Sequence, residues 1–556
     1  MKVDSKARWF LISILLFTSL SSLWIYGTID FPASNIFLSI FWMSGFVILT
    51  FNVGYMLVSA MVAFFMKEEP LKEEHLRSIP NTAILYVVRN EDEEVLMSRM
   101  YHSFRDNFTD NLDLWLLSNS DSGEYLDREK RIISRLREYF GPERVGYFQT
   151  KRNPLRRKHI CIQEWLRVHP TYKYFLVCDA DSRLSAGSVL KLIRKAEHPD
   201  HRDIVIFQSQ INIQGESTYF MKFLGSGQDI CQRIYARANQ KVFGRGVSYG
   251  SGCLIRSKEF QEIDVPDWVL SHDIWDTIFL EEKKYRVVFC SDVITFGGFP
   301  GNYLEYLKRS RRWIKGTMES IEIVLRKKIP LSTRFMALYP IYMYVSQPIF
   351  FLWILTGFFL DSELAGPLLV GQKYALLGAS YVDLEMGSHL FVTLFIVIGH
   401  RFIKCQSLKE VGAVFIQLVT SLLICLNSIV FDSLAVLEWL VKRQKGMPWV
   451  PMKKREGAGI GLSEVVRKLW PTTLLGIAGL VLGFIYSPAW ALVASPFLCS
   501  FLLGIPIAYL TGRRIEGIAS SNDYRYLPVS SDFHSKNSTF FQVEPTGAHL
   551  PIEPTA

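Results

Sequence analysis

The sequence predicts an α/β domain with a mostly parallel sheet, inserted into a multi-pass α-helical membrane protein. Three observations predict it. Apolar residues make up 49% of the 556-residue chain and mean hydropathy is positive, at +0.16. The excess is concentrated in nearly uncharged windows at 9–27, 36–65, 335–360, 388–399, 411–431, 472–487 and 489–511. Most are long enough to cross a bilayer core, which takes about 20 helical residues. Between them, residues 67–334 are charged and mixed, and apolar strand-like runs alternate there with helical periodicity. That alternation marks a parallel α/β sheet.

The chain therefore divides into an N-terminal transmembrane hairpin (1–66), a cytoplasmic domain (67–334), C-terminal transmembrane or interfacial helices (335–514) and a disordered cytoplasmic tail (515–556) rich in Ser, Thr, Pro and Asn. The first apolar run follows Lys2, Lys6 and Arg8, as a signal peptide would, but no convincing small-residue cleavage site comes after it. A retained hairpin is the expectation. Lys and Arg in short loops set orientation. The leader is basic and loop 28–35 has neither Lys nor Arg, which puts the N-terminus and the large domain inside. Loop 361–387 is acidic and expected outside, whereas 442–468 and 512–514 are basic and expected inside. Segment 411–441 has basic flanks at both ends, which fits an interfacial or re-entrant helix or a cramped hairpin.

The net charge of +9 is mostly topogenic, and no dense basic stripe with interleaved aromatics is present, so nucleic acid is a poor partner. The eight cysteines show no CxxC and no short pairing pattern, and read as reduced thiols rather than zinc ligands.

Within the domain, Ala83–Val88 is a buried-strand run stopped by Arg89-Asn90-Glu91-Asp92, and a helical stretch (92–104) follows. A second strand, Leu114–Leu117, stops at Ser118-Asn119-Ser120-Asp121. A charged helix (125–139), a short strand near Val145–Tyr147, a basic turn and a helix near 159–167 lead to Tyr174–Cys178, which runs into Asp179-Ala180-Asp181. Polar residues at three successive strand ends are the layout of a ligand crevice, although turn chemistry alone explains any one of them. Carboxylates spaced i, i+2 on an extended strand share a face. They repel unless a cation lies between them, and hard oxygen ligands suit Mg²⁺ or Mn²⁺. Later come a strand at 204–208, a helix over about 217–240 and a glycine-rich stretch (Gly244, Gly246, Gly250, Gly252) that is not a phosphate loop. In Leu270-Ser271-His272-Asp273, Ser271 is placed to cap a helix with Asp273 in its first turn. Finally, Lys308-Arg309-Ser310-Arg311-Arg312-Trp313-Ile314-Lys315 packs five cations around one Trp. It reads equally as a lipid-headgroup anchor or as a diphosphate clamp with an aromatic platform.

In this order, the Asp179/Asp181 pair, the Ser271-His272-Asp273 turn, the Arg309-x-x-Arg312-Trp313 run and the late stretch Leu502–Arg514 resemble the membrane-embedded family 2 glycosyltransferases, the group of cellulose and hyaluronan synthases. The likeness is greatest to the branch making osmoregulated periplasmic glucan in the bacterial inner membrane. The resemblance covers roughly residues 80–515. It implies a GT-A-type domain and inverting transfer from UDP-glucose to a growing glucan acceptor, with Mg²⁺ or Mn²⁺ and export across the bilayer. A periplasmic glucan-processing protein is a further implied partner.

On that resemblance Asp181 and Asp179 hold the metal, Asp181 serving the two phosphates and Asp179 the ribose or a metal-bound water. Asp273 is the base, Arg309 and Arg312 bind phosphate and Trp313 stacks the acceptor sugar. Asn90, Glu91, Asn119 and Asp121 read the uridine, with Lys158 near the nucleotide. Segment 447–457 is a lid or a plain basic loop. Cellulose synthases have Gln where Arg309 stands, and Asn119 stands where the family often has Asp. Other expectations stay open: a non-processive enzyme loading a lipid carrier, another polysaccharide synthase, a phosphatase that also places Asp-x-Asp after a strand, or a channel with a degenerate domain.

Overall fold

The computed structural model describes residues 5–28, 36–370, 405–443, 460–486 and 494–515, with Gly399, Phe402 and Ala491, but not Ser122, Arg152, Pro154, Arg156 or 214–217. The expected span 388–399, the lid 447–457 and the tail therefore fall wholly or almost wholly outside the described residues.

Two apolar helices open the chain, α1 (Ser5–Thr28) and α2 (Ile36–Phe65). The domain then runs β1 (Thr82–Val88), α3 (Glu93–Arg105), β2 (Leu112–Ser118), α4 (Gly123–Phe140), β3 (Val145–Gln149), α5 (Lys158–Val168), β4 (Tyr174–Asp179), β5 (Arg183–Leu184), α6 (Ser188–Glu197) and β6 (Ile204–Ile213). It continues through α7 (Tyr219–Cys231), a π-helical turn (Gln232–Ala236) and α8 (Arg237–Phe243) to β7 (Cys253–Arg256), α9 (Ser257–Phe260), α10 (His272–Glu282) and β8 (Arg286–Gly297). Helices α11 (Tyr303–Glu319) and α12 (Ile321–Arg326) lead to α13 (Leu331–Val370), α14 (Leu408–Lys442), α15 (Leu462–Tyr486) and α16 (Ser495–Thr511).

The eight strands form one sheet in the order β3-β2-β1-β4-β7-β6-β8-β5. β1, β2, β3 and β4 are mutually parallel, as are β6 and β8, whereas β7 runs antiparallel between β4 and β6. Register aligns Val88 with Ser118 and Val87 with Asp179, so the polar strand ends read from the sequence lie along one sheet edge. β1 is buried along its whole length because both faces of the sheet are covered. That is why it reads as a continuous apolar run rather than an alternating one. One face packs on α3, α4 and α6 through Met100, Phe104, Leu136 and Leu192, and the other on α5 through Cys161 and Trp165.

Among the described residues five helices are long and apolar enough to cross a membrane: α1, α2, α13 over Leu331–Thr356, α14 and α15 over Leu462–Ile485. The segment with two basic flanks is resolved as one continuous helix, α14, which removes the hairpin. Its polar residues explain its length. Gln417 and Ser421 donate to backbone carbonyls of α7, and Asp432 and Glu438 meet α11. Helix α14 thus contacts the α/β domain at several points along its length.

Candidate active site

β4 ends at Asp179, and Ser182 N donates to Asp179 O at 2.9 Å to close a turn. Asp181 therefore lies past the strand, and the two carboxylates do not stand side by side on extended backbone as the i, i+2 spacing suggested. Each is held separately. Asp179 Oδ1 accepts from Lys158 Nζ at 2.5 Å, and Asp181 Oδ2 accepts from the Gly298 amide at 3.1 Å. A Cβ at Gly298 would sit 2.4 Å from that oxygen, so only glycine lets the backbone approach so closely. Lys158 also donates to Gly250 O at 2.6 Å. Burial works against its charge, but Asp179 and Asp273 outweigh it and raise its pKa above the ordinary lysine value.

Gly250 connects this cluster to the proposed base. It adopts φ +71°, and a Cβ there would meet Asp273 Oδ1 at 2.1 Å. Ser271 occupies the N-cap position of α10, but its side chain makes no capping bond there. Instead Ser271 packs against Gly316 of α11, where a Cβ would stand 2.6 Å from Ser271 Cβ. Behind Asp273, His272 is buried between two carboxylates: Nδ1 is 2.7 Å from Asp276 Oδ2 and Nε2 is 3.3 Å from Asp273 Oδ1. Burial lowers the imidazole pKa, but Asp276 and Asp273 more than reverse it, and the net shift is upward.

Helix α11 sorts the five cations by face. Arg309 is buried, with its guanidinium carbon 4.4 Å from the ring centres of both Phe299 and Trp313. Burial lowers the Arg312 pKa, and the carboxylates of Asp179, Asp181 and Glu91 oppose that shift, which places these groups in one field. Asp181 acts on Arg309 in the same way. By contrast, Arg311 and Lys315 bind Glu438 of α14, and Lys308 pairs with Glu305 on its own helix. Trp313 is 42% exposed, with Arg309 against one face.

The structure thus brings together Asp179, Asp181, Lys158, Asp273, Glu91, Arg309 and Arg312, with Trp313 at the margin. Asn90 and Asp121 form a neighbouring rim: Asn90 Nδ2 donates to Asp121 Oδ2 at 2.8 Å, and Arg89 binds the same carboxylate. Asn119 is buried, and its Oδ1 accepts from Asn153 rather than presenting itself at that rim.

Sequence reasoning missed four supports. Asp276 and Gly298 are read only through the groups they hold, and Gly250 was noted merely as part of a flexible stretch. Glu129 is buried and accepts from Ser120 Oγ at 2.6 Å, while Ser120 Oγ accepts from Asn90 N at 2.8 Å. Its position on the apolar stripe of α4 with Ile132, Ile133 and Leu136 was the available signal.

A divalent cation fits the donor set. Asp179 and Asp181 supply hard carboxylate oxygens at one strand end, and no cluster of three or more His, Cys, Asp or Glu suited to a metal occurs among the described residues. A hard cation that keeps waters and takes phosphate oxygens needs only one or two carboxylates.

A family model described as glycosyl transferase family group 2 matches residues 174–400, from β4 through the clamp helix and beyond. Curated relatives similar to this chain include the glucans biosynthesis glucosyltransferase H of Bradyrhizobium diazoefficiens, 23% identical over 85% of this chain and 68% of that one. The protein of the same name from Pseudomonas putida (strain W619) is 24% identical over 80% of this chain and 55% of its own length. The chain thus spans from about half to two thirds of these relatives. A solved mannosyltransferase from Pyrobaculum calidifontis, in complex with GDP-Man and Mn2+, aligns with TM-score 0.46 and 12% identity over 71% of this chain and 99% of that one, too distant to bear on the chemistry. Residues 174–400 thus match the glycosyl transferase family group 2 model, in a chain similar over most of its length to glucans biosynthesis glucosyltransferases H.

Proposed function

We propose that this chain is a membrane-embedded inverting glucosyltransferase of GT-A type that extends a β-glucan backbone from UDP-glucose and passes the product across the bacterial inner membrane. The observation that carries the reading is the convergence of Asp179, Asp181, Lys158, Arg312 and Asp273 at one sheet edge, on a domain joined to long apolar helices. The basic leader and basic inner loops support a cytoplasmic site.

In this reading the acceptor hydroxyl oxygen attacks the anomeric carbon, its proton goes to Asp273, and the bond to the UDP oxygen breaks with its electron pair leaving on UDP. His272 touches both carboxylates of the turn, but Asp276 is buried behind it whereas Asp273 is partly exposed, which leaves Asp273 as the acid–base group. Help of this kind is worth about 10²–10⁴ in rate. Asp181 and Asp179 would hold Mg²⁺ or Mn²⁺, which supplies Lewis-acid stabilisation of the leaving diphosphate. Arg312 and Arg309 add charge to the same phosphates, and burial strengthens each contact. Glu91, Asn90 and Asp121 line the uridine end, with Asn119 shaping the turn beneath. Trp313 stacks the terminal acceptor sugar with the face that Arg309 leaves open.

The deciding experiment incubates purified protein in lipid with labelled UDP-glucose and Mg²⁺, followed by linkage and size analysis of the product. A polymeric β-glucan, lost on EDTA treatment and restored by Mg²⁺ or Mn²⁺, is expected. No incorporation from any UDP-sugar would overturn the enzyme, and a single glucose on a lipid would replace polymerisation by carrier loading.

A further inference from the structure

Away from the sheet edge, α11, α14 and the start of α15 enclose a cleft of about 540 Å³. Its floor is apolar, made by Leu304, Leu307 and Ala435, all buried. Its rim is charged: Lys308, Arg311, Arg467 and Lys468 against Glu438 and Glu464. The charges do not cancel. Glu438 is already bound by Arg311, Lys315 and Lys442, and Lys308 pairs with Glu305. Arg467 and Lys468 make no ion pair with a carboxylate among the described residues, and Lys468 lies 5.2 Å from the Phe431 ring centre. The surface flanking the cleft is apolar and open: Leu434, Leu437, Val441, Val466 and Trp470 are all exposed, Val441 by 84%.

We propose that this cleft binds the headgroup of an anionic phospholipid. Arg467 and Lys468 hold its phosphate, and its acyl chains lie along the exposed faces of α14 and α15. A soluble anion would gain the two cations but leave the apolar floor and flank in water. A zwitterionic lipid would cover the apolar surface but leave the excess positive charge unmatched. Only an anionic lipid satisfies both halves of the site. A Trp at the margin, as Trp470 is here, is typical of the level where headgroup meets hydrocarbon.

The consequence reaches the catalytic side through one helix. Lys308 and Arg311 stand on α11 within a turn of Arg309 and Arg312, so a bound headgroup bears on the flank of the helix next to the clamp. The five cations that read as either anchor or clamp thus serve both roles from adjoining flanks of one helix.

The test is native mass spectrometry of the full chain in non-ionic detergent, titrated with phosphatidylglycerol, phosphatidylcholine or inorganic phosphate. Wild type is expected to bind phosphatidylglycerol in preference to phosphatidylcholine, with phosphate a poor competitor. The Arg467→Gln/Lys468→Gln double variant should lose roughly fivefold in phosphatidylglycerol affinity for each charge removed, while its phosphatidylcholine binding stays as in wild type. Lys130→Gln, on the exposed face of α4, should change neither. Equal binding of both lipids by wild type would overturn the proposal without recourse to any variant. So would a double variant that binds phosphatidylglycerol normally, or free phosphate competing at the affinity of the lipid.

Discussion

At the scale of single residues, the site depends on groups that touch no substrate. Asp273 sits against the Gly250 backbone and the His272 imidazole, in the field of Lys158, so its carboxylate position depends on neighbours beyond its own turn. Asp273→Asn keeps the shape and removes the base; turnover should fall by about 10²–10⁴ while UDP binding, read by calorimetry, stays within a fewfold of wild type. Wild-type turnover in this variant would remove the role assigned to it. His272 gives a pH signature. Its folded pKa is raised above the ordinary value of 6.5 by Asp276 and Asp273, despite burial. Its contribution to stability is therefore complete below about pH 6.5 and is lost as pH rises through the higher folded value. The Tm gap between wild type and His272→Gln should be widest at acid pH and close on going alkaline, and a gap that widens with pH would contradict the ion triad. Asp181, Asp273 and Arg312 were legible as chemistry-bearing types in an ordered series. Asp276, Gly250 and Glu129 were not, because their roles arise from tertiary contacts that leave no mark in local spacing.

Elements were read better than their ends. Strands β1, β2 and β4 carry strong apolar runs and were found within two residues, whereas β8 was missed and β5 is a two-residue strand. β8 breaks its apolar run at Ser291 and Asp292 and shifts register between its pairings with Ser209 and Gln210, so no clean period survives. Helix α11 was seen as a cluster of cations but not as a helix with two working faces. Gly316 gives that helix a test of opposite sign to the usual one. In an exposed helix interior Gly→Ala stabilises by about 1 kcal/mol. Here a Cβ would meet Ser271 Cβ at 2.6 Å, so α11 must move away from the turn that carries His272 and Asp273. Gly316→Ala should lower Tm by several degrees and lower turnover with it. A higher Tm would mean the helix and the turn are free to separate.

For the whole molecule, the α/β domain and the apolar helices share a core rather than meeting at a linker. Phe220, Tyr303 and Leu307 pack with Ile424, Val465 and Ala508, and the chain just after α16 returns to the domain through a bridge between Thr218 and Arg514. The sequence showed the division into apolar windows and a charged domain, because composition changes sharply there. It could not show this docking, because the residues on both sides are ordinary apolar ones. Residues 67–334 produced alone should therefore bind the hydrophobic dye ANS and melt without a sharp transition, and a cooperative melt without dye binding would show the domain to be self-sufficient. The same docking restrains motion. Helix α11 is fastened to α14 at Tyr303–Asn427, Ser310–Asp432 and Arg311–Glu438, with contact numbers rising together on both helices, so the two run parallel. Three fastenings spread over more than two turns oppose rolling and sliding. If Trp313 grips the growing end of a polymer, the grip does not travel with it. Each added sugar must then advance the product past a stationary aromatic ring, as thread is drawn past a fixed guide.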